Sequence, residues 1–145
     1  MNVKRLIPGL LCCAFASAGV AATATCQPVI AQAWVRAPPP GASTLAAYAT
    51  VRNPCAAGVA IAGVSGADFG MAMIHQTSVE NGMSRMRVLG PLAIPAKGEA
   101  VLAPGGSHIM LMQAKRQFRE GDRIRLSFRL ADGRELVADF VVRRE

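Results

Sequence analysis

The run RIRLSFRLADGRELVADFVV, residues 123–142, constrains the fold more than any other stretch of this chain. Arg123, Arg125 and Arg129 alternate with Ile124, Leu126, Phe128 and Leu130. A period of two belongs to a strand with one wet face and one buried face. Asp132 and Gly133 then mark a tight hairpin, expected to be type I′ because glycine accepts the positive φ that such a turn requires. The returning strand places Leu136, Ala138 and Phe140 on the core side. The arginine row is read as a solvated face rather than a binding patch.

The rest of the chain follows the same style. Short apolar runs are separated by proline and glycine, and no ten-residue stretch carries a convincing helical period. Strands are expected at VIAQAWVR, TLAAYATVRN, GVAIAGVS, AMIHQTSV, SRMRVL, EAVLA, HIMLMQ, RIRLSFRL and RELVADFVV. APPPGAS, between the first two, must be an extended loop, since three prolines cannot donate to a ladder. The fold class is all-β, a sandwich or barrel. With 145 residues, 52% of them hydrophobic, the chain suffices for one domain with a real core.

Residues 1–24 need separate treatment. MNVKR is a short cationic start, LIPGLLCCAFASAGVA is weakly polar and runs into small residues, and ATA at Ala22–Ala24 fits a small-x-small cleavage rule. A cleaved secretory signal is expected, leaving residues 25–145 as the working domain in the periplasm. Pro8 and Gly9 interrupt a segment already short for a membrane anchor, and no charged stop-transfer run follows. Leu11, bulky before Cys12, argues against lipidation there. Removing the leader takes Cys12 and Cys13 with it, and the remaining pair, Cys26 and Cys55, is expected to form one disulfide in an oxidising compartment.

The precursor carries a net charge of +7. Loss of Lys4 and Arg5 from its 16 basic residues leaves 14 against 9 acidic ones, a net +5. A basic balance invites a nucleic-acid reading, but single-strand binders need aromatic platforms, and one Trp, one Tyr and five Phe, one of them in the leader, supply few. Export removes the usual nucleic-acid targets as well. The positive surface is better matched to an acidic protein or an anionic membrane.

Chemistry concentrates around the two histidines, His75 and His108, where methionine is enriched. Residues two apart on a strand point to the same side, so His108 and Met110 can present nitrogen and sulfur toward one point. Met71, Met73, Met83 and Met112, taken singly, are read as flexible core filler. His75, Met86, His108 and Met110 are read as a set of metal ligands. Thioethers escape the disulfide formation that would disable cysteine ligands outside the cytoplasm, and two thioethers with two imidazoles select Cu(I) over hard cations. Structural zinc is disfavoured, being built from thiolate and imidazole.

Ten residues separate His75 from Met86, twenty-one separate Met86 from His108, and one separates His108 from Met110. This spacing resembles the H-x10-M-x21-H-x-M signature of the periplasmic copper chaperones called PCuAC. AWVRAPPPGAS, NPC, HQTSVENGMSRMRV, IPAKGEAVLAPGGSHIMLM and EGDRIRLSFRLADG look like that family's segments, so the resemblance spans nearly all of residues 25–145. It implies a cupredoxin-like Greek-key β-barrel that binds one Cu(I) at a fairly exposed loop-and-edge site. It also implies His75, Met86, His108 and Met110 as the ligands, and delivery toward the CuA centre in subunit II of cytochrome c oxidase, alongside a Sco-type thiol protein. Some members carry a His- and Met-rich tail for a second, Cu(II) ion; VVRRE, where this sequence ends, offers no such residues. Ser84 stands where relatives often have a further methionine.

The expected function is therefore a carrier, not an enzyme, with no stable membrane anchor after cleavage. Copper storage or scavenging would use the same ligands. A redox-active cupredoxin would need a thiolate beside two imidazoles, and neither Cys26 nor Cys55 is near a histidine in sequence. A metal-free sandwich that binds protein through its arginine face is the third reading.

Overall fold

The computed structural model describes residues 25–145, and the expected signal segment, 1–24, lies outside them. Among the described residues every regular element is a strand. These are β1 (Val29–Arg36), β2 (Leu45–Arg52), β3 (Val59–Ser65), β4 (Phe69–Glu80) and β5 (Met83–Val88), then β6 (Leu92–Ile94), β7 (Glu99–Leu102), β8 (Ser107–Ala114), β9 (Arg123–Leu130) and β10 (Glu135–Arg143). All nine expected strands are present. The tenth, β6, is three residues between Pro91 and Pro95, too short to show a period.

Hydrogen bonding runs in the order β5-β4-β8-β2-β1-β10-β9-β3-β6, with β7 pairing the far half of β2. β1 and β10 pair in parallel, and the other pairings are antiparallel. The sheet curls round one core until β3 packs against β4 without pairing to it. Phe128, Phe140, Ile61, Ile109 and Leu111 are wholly buried there, each contributing roughly 1.5–3 kcal/mol relative to exposure.

The C-terminal hairpin follows its pattern. Ile124, Leu126 and Phe128 have no exposed surface, Phe140 has none either, and the arginines of β9 are exposed. Arg125 pairs with Asp139 across the ladder, which is a surface contact. The turn itself differs from expectation. Leu130 and Arg134 close a three-residue loop through Leu130 N–H to the Arg134 carbonyl, and Gly133 N–H donates back to Leu130. Gly133 alone has positive φ, at 90°, so this is a type I turn followed by a glycine bulge, not type I′. The type I′ geometry is found instead at Asn81–Gly82, where φ is 52° and 75° and only two residues separate Glu80 from its partner Met83.

A bulge in β1 sets the remaining geometry. Ala31 pairs Thr50 but Trp34 pairs Tyr48, so β1 holds one extra residue, with Gln32 at φ 52°. The extra residue reverses the phase of the strand. Val35 is thereby turned inward, fully buried, and Trp34 outward onto Tyr48.

Cys26 and Cys55 are joined in the expected disulfide, with Cα atoms 5.7 Å apart. Asn53 organises the adjoining loop from a buried position: its Nδ2 donates to the carbonyls of Ala57 and Pro95, and its Oδ1 accepts from Cys55 N–H.

Candidate metal centre

β4 and β8 form the frame. Their antiparallel register sets His75 opposite His108, Met73 opposite Met110 and Met71 opposite Met112. The intervening residues Ile74, Ile109 and Leu111 are buried in the core. Alternation therefore sends the histidines and methionines to the outer face. The two imidazole centroids are 6.0 Å apart, with the rings inclined at 67°.

β5 supplies Met86 from the other side of β4. The Asn81–Gly82 turn fixes the register so that Met86 faces Thr77, two residues from His75 and on the same side of the sheet. A diagonal neighbour of this kind is within reach of a long side chain. β5 is the edge strand and Met86 is 52% exposed, whereas His108 is 6% exposed. The four expected ligands thus come from three adjacent strands onto one face, with a mobile-length thioether at the rim.

The two histidines are prepared differently. PGGS before β8 makes a turn in which Gly106 N–H donates to the Ala103 carbonyl, Pro104 occupies the second position and Gly105 the third, with φ 80°. That is the arrangement of a type II turn. It aims the Gly106 carbonyl at His108 Nδ1, 3.1 Å away. A carbonyl only accepts, so Nδ1 carries the proton and the lone pair is left on Nε2. His75 is the reverse case: both ring nitrogens are shut away from solvent and neither has a hydrogen-bond partner. Its pKa is lowered from the ordinary imidazole value, by desolvation first and by the neighbouring His108 second. A buried neutral imidazole with neither nitrogen hydrogen-bonded is costly, and ligation is one way to satisfy it.

Sequence reasoning missed the aromatic backing of the site. Tyr48 is buried with its ring centroid 6.4 Å from that of His108, and Trp34 lies 4.6 Å beyond Tyr48. Arg36 lies over Tyr48 and Arg143 over Trp34. Desolvation is the main reason the Tyr48 pKa is raised, so it stays a neutral phenol. The only local signal was the alternation in LAAYATVR, which assigns Tyr48 a face but no neighbour.

The methionines expected as core filler are not in the core. Met71 is 42% and Met83 57% exposed, and Met73 and Met112 are half-buried on the outer face. Strand alternation could group them, but only the sheet's curvature decides which face is inside. Cys26 and Cys55 have no thiol to offer a metal, being bonded to each other. Among the described residues no group of three or more His, Cys, Asp or Glu is placed to hold a metal ion.

Residues 29–142 match the family model described as "Putative lipoprotein LpqE-like". The chain belongs to the LpqE-like family. A family relative, "Putative lipoprotein Lxx21020" of Leifsonia xyli subsp. xyli, is 33% identical to the LpqE-like chain over 105 residues, 72% of this chain and 62% of that protein. The chain thus spans about three-fifths of that relative's length. Among solved structures, the apo PCuAC domain from PmoF1 has a TM-score of 0.68 at 24% identity, covering 81% of this chain and 94% of that one. The solution structure of CuI-DR1885 from Deinococcus radiodurans has a TM-score of 0.66 at 29% identity, covering 84% and 83%. The LpqE-like chain therefore has the cupredoxin-like β fold expected from the resemblance.

Proposed function

We propose that this LpqE-like protein is an exported copper chaperone, a carrier and not a catalyst, which holds one Cu(I) on His75, Met86, His108 and Met110. The observation that carries the reading is the opposed pair His75–His108, one ring with its nitrogens unanswered and the other with Nε2 left free, flanked on the same face by Met86 and Met110. Four neutral donors of this type suit a soft monovalent ion and leave its charge uncancelled, which favours a site that must release its cargo. Support comes from the solved relatives, one of them a Cu(I)-bound protein at 29% identity. The family's lipoprotein description supports export.

Release proceeds by ligand exchange from the rim inward. Met86, on the exposed edge strand, yields first to an incoming donor, while His108 is held by Gly106. The recipient we propose is the CuA domain of cytochrome c oxidase subunit II, or a Sco-type thiol protein that prepares it. Cu(I) titration of residues 25–145 against a competing chelator tests the site: near-unit stoichiometry, lost in His108→Ala and weakened in Met86→Ala, is expected. Unchanged binding in both variants would place the copper elsewhere. Transfer to an apo CuA domain separates delivery from storage, since a storage protein retains its copper when that acceptor is added.

A further inference from the structure

Four thioethers stand in one outward block beside the histidines. Met73 and Met110 are registered opposite each other, as are Met71 and Met112, on the same face as His75 and His108. Beyond the initiator, the chain has six methionines, and these are four of them. The core side of the same strands is already filled by Ile74, Ile109 and Leu111. Burial therefore does not explain the block.

Its flanks are unusually bare. β5 ends at Val88, opposite His75, and just past that end is Gly90, where an added Cβ would meet nothing within 4 Å. On the other side Met110 is registered on Ala46, whose methyl is the smallest side chain available to a strand. Directly opposed residues place their Cβ atoms about 5 Å apart, and each methionine has three rotatable bonds with which to swing its sulfur. Sulfurs from neighbouring rows can converge on one ion without moving the backbone.

We propose that Met71, Met73 and Met112, with Met110 shared, form a second soft-cation site that takes Cu(I), or Ag(I) of the same charge and softness, through thioethers alone. Such donors discriminate against hard cations and bear no proton to lose on binding. Because Met110 belongs to both sets, an ion caught on the methionine rows passes to the histidines by exchanging one ligand at a time. The block is thus an entry station. That relay rests on the histidine site proposed above; the thioether site does not.

The test is Ag(I) titration of the purified chain, read by native mass spectrometry and by the methionine ε-methyl resonances. Ag(I) is used because it is not oxidised during the experiment. Wild-type protein is expected to take a second equivalent, weaker than the first, with the Met86 methyl moving in the first phase and the Met71 and Met112 methyls in the second. Met71→Leu/Met112→Leu, which nearly conserves volume, should lose the second equivalent and keep the first. His75→Ala/His108→Ala should keep an equivalent that moves Met71 and Met112. Saturation of the wild type at one equivalent that leaves Met71 and Met112 unmoved, or a second equivalent that does so, overturns the proposal. If Met71 and Met112 move but Met86 never does, the thioether site stands and the histidine site fails.

Discussion

His75 and His108 face each other directly across the β4–β8 ladder, yet only His108 has a hydrogen-bond partner for its ring. The buried nitrogens of His75 are therefore a cost to the fold as it stands. Replacing His75 with leucine is expected to stabilise the metal-free protein by about 1–2 kcal/mol, because it removes two buried groups that have no partner. The same change should weaken Cu(I) binding by on the order of 100-fold or more, since removing a ligand costs at least as much as removing its support. Urea denaturation and chelator competition on one preparation measure both; a destabilised variant with intact copper binding would contradict the assignment.

Acid should act on both properties in the same direction. Burial and the neighbouring His108 hold the His75 pKa below its ordinary value of 6.5. The unfolded chain therefore takes up a proton at His75 before the folded chain does, so this contribution to stability is fully present above pH 6.5 and is lost as pH falls through the lowered folded value. Metal-free wild-type protein should lose stability over that window, and His75→Leu should lose less. Cu(I) affinity should fall over the same acidic range as protons compete for imidazole. A pH series of denaturation curves for the two proteins provides the check.

Gly82 couples a turn to the site. Its φ of 75° is strained for any side chain, although an added Cβ would touch nothing within 4 Å, so the cost of Gly82→Ala is purely one of backbone. A loss of about 1 kcal/mol is expected. Because β5 is an edge strand held in register by this turn, Cu(I) affinity should fall in Gly82→Ala while the His75–His108 pair is retained. Comparing chelator competition for Gly82→Ala and Met86→Ala reveals whether the two act through the same ligand.

The Cys26–Cys55 bridge closes a loop with a sequence separation of 29. Cys26→Ser/Cys55→Ser is expected to cost about 3.5 kcal/mol in the chain-entropy account. Copper binding should survive at temperatures where the variant stays folded, because neither sulfur is a ligand in the proposed site. Thermal unfolding of the wild type with and without a reductant measures the first effect, and Cu(I) stoichiometry the second.

Much of this was legible in the residues. Alternation in RIRLSFRL identified both the strand and its buried side, because a period of two is a local property of the backbone. The same locality places His108 and Met110 on one side of one strand. Turn type is less local: Asp132–Gly133 and Asn81–Gly82 look alike as dipeptides, but the number of residues between paired positions separates a bulged three-residue loop from a two-residue type I′ turn. That number depends on which partners the flanking strands choose. Tyr48 behind His108 depends in turn on the register of β2 against β8, and Trp34 on Tyr48 depends on a bulge at Gln32 that no motif announced.

By itself the sequence determined that this chain would be all strand, that one bridge could form outside the cytoplasm, and that imidazole and thioether were its candidate ligands. Only the tertiary structure decided that His75 meets His108, that Gly106 leaves Nε2 of His108 free, and that Met71, Met73 and Met112 look outward. The reason is physical. Periodicity says which side chains share a face, but which face is buried, and which strand lies alongside, is settled by how the whole sheet curls to cover its apolar residues.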